Sequence, residues 1–366
     1  MNKMPRWADV ALIPFINLLI AFVISGIVLA AIGTNPFDAL ATMIEGSFGS
    51  SRGVGYTLYY ATNFIFTGLA MAIASHARMF NIGGEGQAAI GGLGVAVILL
   101  AVPWPHWTLA LPAAIVFGGL FGAAWAFIPA YLQAKRGSHI VITTIMFNFM
   151  AAALTGYLLT GPMKVKGKMA AETAAFPPGT HLPTFHEMLA PFGIEFSKHA
   201  PANISFLVAL LCCLFFWVLM WHTRLGYQIR ALGHSETASK YAGISPAKIM
   251  IITMLISGAF AGLMAVNNVM GEAERMIHNA VEGAGFIGIA VALMGRNHPI
   301  GVILAAILFG FLWQGGAELQ FVYGIPREMV TVIQAIVILL TGALDYMVRG
   351  PVERIFLMRA NSKKRA

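Results

Sequence analysis

Three clusters of polar residues interrupt an apolar background, and they are where this chain could do chemistry. The first is Met79-Phe-Asn-Ile-Gly-Gly-Glu-Gly-Gln87, which places the Asn81 amide, the Glu85 carboxylate and the Gln87 amide at the mouth of an apolar stretch. The second comprises Asn148, Asn267 and Asn268, each within or at the end of an apolar run. The third is His278-Asn-Ala-Val-Glu-Gly283, in which Asn279 and Glu282 open a later run. Amides and carboxylates exchange hydrogen bonds with the hydroxyl and amide groups of an uncharged solute. That is the chemistry of binding and passage, and no bond-making apparatus accompanies it. No G-x-x-x-x-G-K-[ST], H-E-x-x-H or G-x-S-x-G occurs, so no catalytic residue, metal site or cofactor is expected. Gly84-x-Gly86-x-x-Ala89 fails as a dinucleotide fingerprint, because no strand precedes it and no acidic residue follows near twenty positions on. Cys212 and Cys213 are adjacent in an apolar run and read as packing residues.

The elements that carry these clusters must be membrane helices. Of 366 residues, 58% are hydrophobic and 10% charged, against roughly 25% charged in soluble chains. So few charges cannot cover a soluble core of this size, which excludes soluble enzymes, and disorder is excluded by the same apolar richness. Ten apolar segments can be read at 10–32, 55–75, 82–102, 108–132, 140–161, 204–222, 249–270, 284–295, 299–319 and 328–348. The eighth is short. The first is longer than a signal-peptide core and reads as an ordinary span. With both termini inside, 16 of the 23 Lys and Arg fall on the cytoplasmic side, as the positive-inside bias requires. The net charge of +8 is then a membrane bias and not a nucleic-acid footprint, and the basic tail after Tyr346 is expected against anionic headgroups. The fold expected is all-α integral membrane, a single transmembrane domain over 1–366.

An internal repeat organises the spans. The Phe80–Gly86 and His278–Gly283 openings correspond. AAIVFGGLFG (113–122) matches AAILFGFLWQ (305–314) at six of ten positions, and Thr144…Thr155-Gly156 answers Thr331…Thr341-Gly342. Spans 2–5 and 7–10 then run in opposite senses, an inverted repeat with discontinuous helices, which belongs to transporters that open alternately to either side. Within that frame Glu85 has two readings. It faces a cavity lined by broken backbone, or it caps its own helix N-terminus. The asparagines likewise either bond between helices or line a polar path.

Two loops carry further pattern. The cytoplasmic loop 223–248 is amphipathic and rich in small residues, with Gly226, Arg230, Ala231, Gly233, Glu236, Ala238 and Gly243, and its Glu236–Lys240 spacing supports a short surface helix. A solvated connector would rarely need such patterning; a docking surface for a partner would. The outside loop 162–203 mixes Pro177, Pro178, Pro183, Pro191 and Pro201 with an apolar stretch at 185–196, which suggests an ordered flap. Lys164, Lys166 and Lys168 alternate at its start, so an extended backbone would present all three on one side, either to a partner's carboxylates or merely to solvent.

G-Y-Q-I-R-A-L-G-H-S-E-T-A-S-K-Y-A-G-I (226–244) resembles the coupling loop of permease subunits of bacterial ABC importers, in the group that includes ribose, branched-chain amino acid and nucleoside permeases. F-N-I-G-G-E-G-Q (80–87) resembles the nucleoside-type subgroup that works with basic-membrane-lipoprotein binding proteins, where the sugar permeases carry a Gly-Gly-Ile-Asp-Leu-Ser type sequence. The resemblance implies a multi-pass inner-membrane permease without its own ATPase. Its partners would be a second, related permease, a cytoplasmic ABC ATPase seated on the 223–248 loop and an extracytoplasmic substrate-binding lipoprotein. It implies passage of a nucleoside at the subunit interface. A sugar permease of the same superfamily and an ion-driven secondary transporter are the rival readings.

Overall fold

The computed structural model describes residues 12–326, 329–336, 339–340 and 350–354. Among these the chain is built from α-helices, with only two isolated β-bridges. It divides into two compact units, residues 1–49 with 311–366, and residues 50–310.

In the first unit α1 (Ile13–Ala31) and α2 (Pro36–Phe48) form a bent pair. Asn35 makes the bend, its side chain accepting from the Phe37 amide at 3.1 Å while Pro36 opens the helix. The second unit begins with α3 (Ser51–His76), α4 (Gly84–Ala101), α5 (Trp107–Arg136) and α6 (Ile140–Thr160). A long connecting segment follows and contains the short α7 (Phe185–Leu189). Then come α8 (Ser205–His222), α9 (Arg224–His234), α10 (Glu236–Tyr241) and α11 (Pro246–Ala265), which continues as a π-helical turn, Val266–Glu272. After α12 (Ala284–Met294), α13 (Pro299–Tyr323) runs on past the boundary of the unit.

Among the described residues seven helices are long and apolar enough to cross a membrane: α3, α4, α5, α6, α8, α11 with its π-turn, and α13. Counting the bent pair as one span gives eight among the described residues. The eighth expected span is the 11-residue α12, about 16 Å long at 1.5 Å per residue, half of a ~30 Å hydrocarbon core. The tenth lies largely, and the basic tail except for residues 350–354, outside the described residues. Lipid contact accounts for the apolar surface: α6 exposes Ile142, Met146, Phe149 and Tyr157, while burying Thr144, Asn148, Ala151 and Thr155.

Packing within the second unit is reciprocal, as a two-fold repeat requires. The first helix of each half, α3 and α11, takes the second helix of the other half: α4 packs on α11 and α12 packs on α3. The third helices follow suit. Gly118 of α5 lies against Gly262 of α11, while its aligned counterpart Gly310 lies against Thr57 and Ala61 of α3. The α5–α11 seam is closed by Gly118 and Gly122 facing Gly258 and Gly262, where a Cβ at any of the last three would press into opposing backbone. Small residues four apart permit this approach.

Candidate functional site

Both second helices of the repeat start abruptly after a break, and the breaks hold the polar clusters. The first break follows α3. Arg78 turns the chain with φ 56°, and α4 begins at Gly84. Asn81 and Gln87 pair amide to amide, Asn81 Nδ2 donating to Gln87 Oε1 at 2.8 Å and Gln87 Nε2 donating back to Asn81 Oδ1 at 3.1 Å. Asn81 Oδ1 also accepts from the Gly83 amide (2.9 Å), and its Nδ2 reaches Ser257 Oγ on α11 (2.8 Å). From α6, Asn148 spans the break, accepting from Gly86 N and donating to Ile82 O, both at 2.9 Å. A broken helix leaves orphan backbone groups that lipid cannot satisfy, and here neutral amides satisfy them. Asn81, Gln87 and Asn148 are buried and committed to these bonds.

The second break follows the π-turn. Asn267 is its hub, donating to Tyr59 O (2.9 Å) and Asn63 Oδ1 (2.8 Å) and accepting from Asn203 Nδ2 (3.2 Å) and Ser205 Oγ (2.6 Å). Asn268 holds Ala280 O at 2.8 Å. Between Glu272 and Ala284 the backbone is left-handed at Glu274, Asn279, Glu282 and Gly283, a conformation that costs L-residues about 1 kcal/mol or more each. Asn279 and Glu282 are exposed, unlike their counterparts at the first break.

The two breaks meet. Glu85, in the first turn of α4, reaches across to the start of α12, its two carboxylate oxygens accepting from Gly283 N at 2.8 Å and Gly285 N at 2.9 Å. Glu85 therefore caps the other half-helix, and not its own. Gly285 lies so close to Gly84 and Glu85 that a Cβ there would overlap the Glu85 backbone. Beside the contact lies a cleft of about 70 Å³ lined by Glu85, Asn148, Thr155, His278 and Asn279 among others. That is well short of the ~300 Å³ or more of a small-molecule pocket. Sequence reasoning missed Ser257, Asn203, Ser205 and His278; small hydroxyls in apolar helices and a lone loop histidine carry no pattern.

The segment 162–203 is an ordered strap. It zips antiparallel to the second break: Thr173 N donates to Met276 O (3.0 Å), Phe176 N to Glu274 O (2.8 Å) and His278 N to Ala171 O (3.2 Å). Glu172 pairs with Arg275 at 3.2 Å and with Lys168 at 2.8 Å, and the Lys168 hydrogen bond holds the Glu172 carboxyl below its ordinary range. His181 bonds Glu274, with Glu187 at 3.4 Å on its other nitrogen, and these acceptors hold the imidazole above its usual value. The alternating lysines do not form one extended row. Turns closed by Lys164 N to Gly161 O and Lys168 N to Val165 O, with Gly167 at φ 85°, fold the segment, and Lys168 is engaged by Glu172.

At the opposite end, α9 and α10 form a helical corner. Gly233 packs on the His76 carbonyl at the end of α3, and Gly226 on Leu219 and Met220 of α8. Both are therefore internal contacts and offer no surface to a partner. Gly243, at φ 76°, turns the chain after α10. The expected Glu236–Lys240 pair forms at 2.9 Å. Between the two helices runs a groove of about 570 Å³ lined by Tyr227, Arg230, Ala231, His234 and Ala238 among others, and the Arg230 Nε is buried without a partner among the described residues.

Known proteins match almost the whole of this architecture. Residues 53–342 match the family described as branched-chain amino acid transport system / permease component. The guanosine ABC transporter permease protein NupP of Bacillus subtilis is 33% identical over 92% of this chain and 94% of its own. The nucleoside ABC transporter permease protein NupB of Lactococcus lactis is 32% identical over 89% of each. The glucose ABC transporter permease protein TsgB13 of Haloferax volcanii is 32% identical over 98% of this chain and 94% of its own. With membrane helices in reciprocal halves and a family match over most of its length, the chain belongs to the branched-chain amino acid transport system permease component family.

Proposed function

We propose that this chain is the permease subunit of an ABC importer that carries nucleosides across the inner membrane, using ATP hydrolysed by a separate subunit. The observation that carries the substrate is the pair of relatives from Bacillus subtilis and Lactococcus lactis, named for guanosine and nucleosides and aligned over about nine-tenths of this chain. The exposed Asn279 amide on the wall of the small cleft suits such a solute, which offers hydroxyls and a base but no net charge. The glucose-named relative supports a sugar as the second reading. Uptake of labelled guanosine by cells expressing the complete importer, challenged with excess unlabelled nucleoside or excess glucose, separates the two. Competition by nucleoside alone is the expected result.

Bacillus subtilis and Lactococcus lactis each also have a second permease similar to this chain, 29% and 26% identical over 70% of it, which supports a paired, related permease as partner. The ATPase would seat in the α9–α10 groove, which Arg230, Ala231 and the exposed Ala238 line, with the exposed Glu236 close by in α10. Arg78, Arg230 and Arg296 gather around the same end of α3, in line with a cytoplasmic face there and with both termini inside. Ala238→Trp should abolish ATP-driven uptake while the protein still inserts; unchanged uptake would remove the groove from coupling. On the outer face Lys164 and Lys166 remain candidates for carboxylates of a binding lipoprotein. Their replacement by glutamine should raise the binding-protein concentration needed for half-maximal uptake, chiefly at low salt.

A further inference from the structure

Among the described residues the second half-helix has no side-chain cap of its own. Its N-cap is Gly283, at φ 83°, and no nearby side chain accepts from its first turn. What stands in its place is Glu85, from a helix some 200 residues earlier, with one carboxylate oxygen on each of two backbone amides at 2.8 and 2.9 Å. The N-terminus of a helix carries about half a unit of positive charge, and two such ends, those of α4 and α12, approach here at Gly84 and Gly285. Their repulsion in a low-dielectric setting needs an anion, and Glu85 supplies it from within the chain. The connector it holds includes left-handed Asn279 and Glu282, so the chain leading into α12 is strained and would relax if released. Glu85 is also half-exposed on the wall of the small cleft with Asn148, Thr155, His278 and Asn279.

We propose that Glu85 is the positioning residue of the translocation path. Its carboxylate is the fixed counter-anion of the α12 half-helix, it ties that half-helix to α4, and the path opens beside it only when this contact is broken. The proposal rests on the reading of the chain as an importer permease. Neither amide-rich Asn81 nor Asn148 can substitute, because both are already committed at the first break. Because the carboxylate cancels the positive helix end, the wall it forms offers no free charge to a passing solute, which suits an uncharged cargo.

The test uses the full-length chain, alone and in the assembled importer. The purified Glu85→Ala protein should melt below wild type and recover in formate, a carboxylate small enough for the vacated position, but not in gluconate at equal ionic strength. In the importer, Glu85→Gln keeps the shape and loses the charge. It should lower nucleoside uptake about tenfold, the effect of one charge-assisted hydrogen bond, and raise the ATP hydrolysed per nucleoside carried. Glu85→Asp, which keeps the charge, should recover most of the uptake and the coupling. A formate-independent melt for Glu85→Ala, or wild-type coupling in Glu85→Gln, would overturn the proposal. Absence of nucleoside uptake by the wild-type importer would instead sink the substrate assignment and leave the formate result standing.

Discussion

The two helix breaks solve one problem with opposite materials. At residues 79–87 neutral amides close the Gly83 and Gly86 N–H groups and the Ile82 carbonyl in short bonds, and the only left-handed residue beside the break is Arg78. At residues 272–285 the backbone is left-handed four times, begins in a π-turn, and is held at its inner end by one carboxylate and along its outer side by the strap. An amide lattice buried on all sides is costly to disturb, because each released group stays unsatisfied. A strained connector with a few surface-facing ties is cheap to shift. The difference makes the first break the harder of the two to disturb.

The sharpest way to break this comparison is Asn148→Ala. It leaves the Ile82 carbonyl and the Gly86 amide unsatisfied, and about 3 kcal/mol of stability should be lost, read as a lower melting temperature of the purified protein. Gly283→Ala should cost less, about 1 kcal/mol, because a Cβ there meets nothing within 4 Å and only the φ of 83° opposes it. Asn279→Gly, at φ 59°, should do the reverse and stabilise by a few tenths of a kcal/mol, since glycine takes that conformation freely. If both changes at the second break proved as damaging as Asn148→Ala, the contrast would fail.

The smallest effect expected is a pH dependence of the strap. His181 is held above its ordinary value by Glu274 first and by Glu187 second. Its contribution is therefore complete below the unfolded pKa and is lost as pH rises through the higher folded value. The protection factors of the Thr173 and Phe176 amides, whose bonds pin the strap to the second break, should fall from mildly acid to alkaline pH in the wild type. They should be flat across that range in His181→Gln.

Much of this was legible in the chain. Apolar runs located α3 to α6, α8, α11 and α13 within a few residues, because a bilayer enforces long uninterrupted hydrophobic segments. Glycines beside Asn81 and Glu85 marked the first break, and spacing alone gave the Glu236–Lys240 pair. What escaped was the choice of partners. Asn148 closes a break more than sixty residues away, and Glu85 caps a helix about two hundred residues away, and no local periodicity encodes such distances. Gly233 was legible as small but not as inward-facing, since close approach to a neighbour inside the fold and to a partner outside it select the same residue. The eleven-residue α12 read as a short span for a similar reason. Hydropathy reports how apolar a segment is and not where in the bilayer it starts.

The glycine seam between α5 and α11 has a consequence for how this chain can drift. Every single-base change that alters a glycine codon's meaning introduces a side chain, and alanine is the least of them. At Gly122, Gly258 and Gly262 even that methyl group would run into opposing backbone, which cannot turn aside as a side-chain tip can. These positions have no silent neighbour in sequence space. Their codons are free to vary only at the third base, while Gly119, next to Gly118 and with nothing nearer than 3.8 Å, has room to wander.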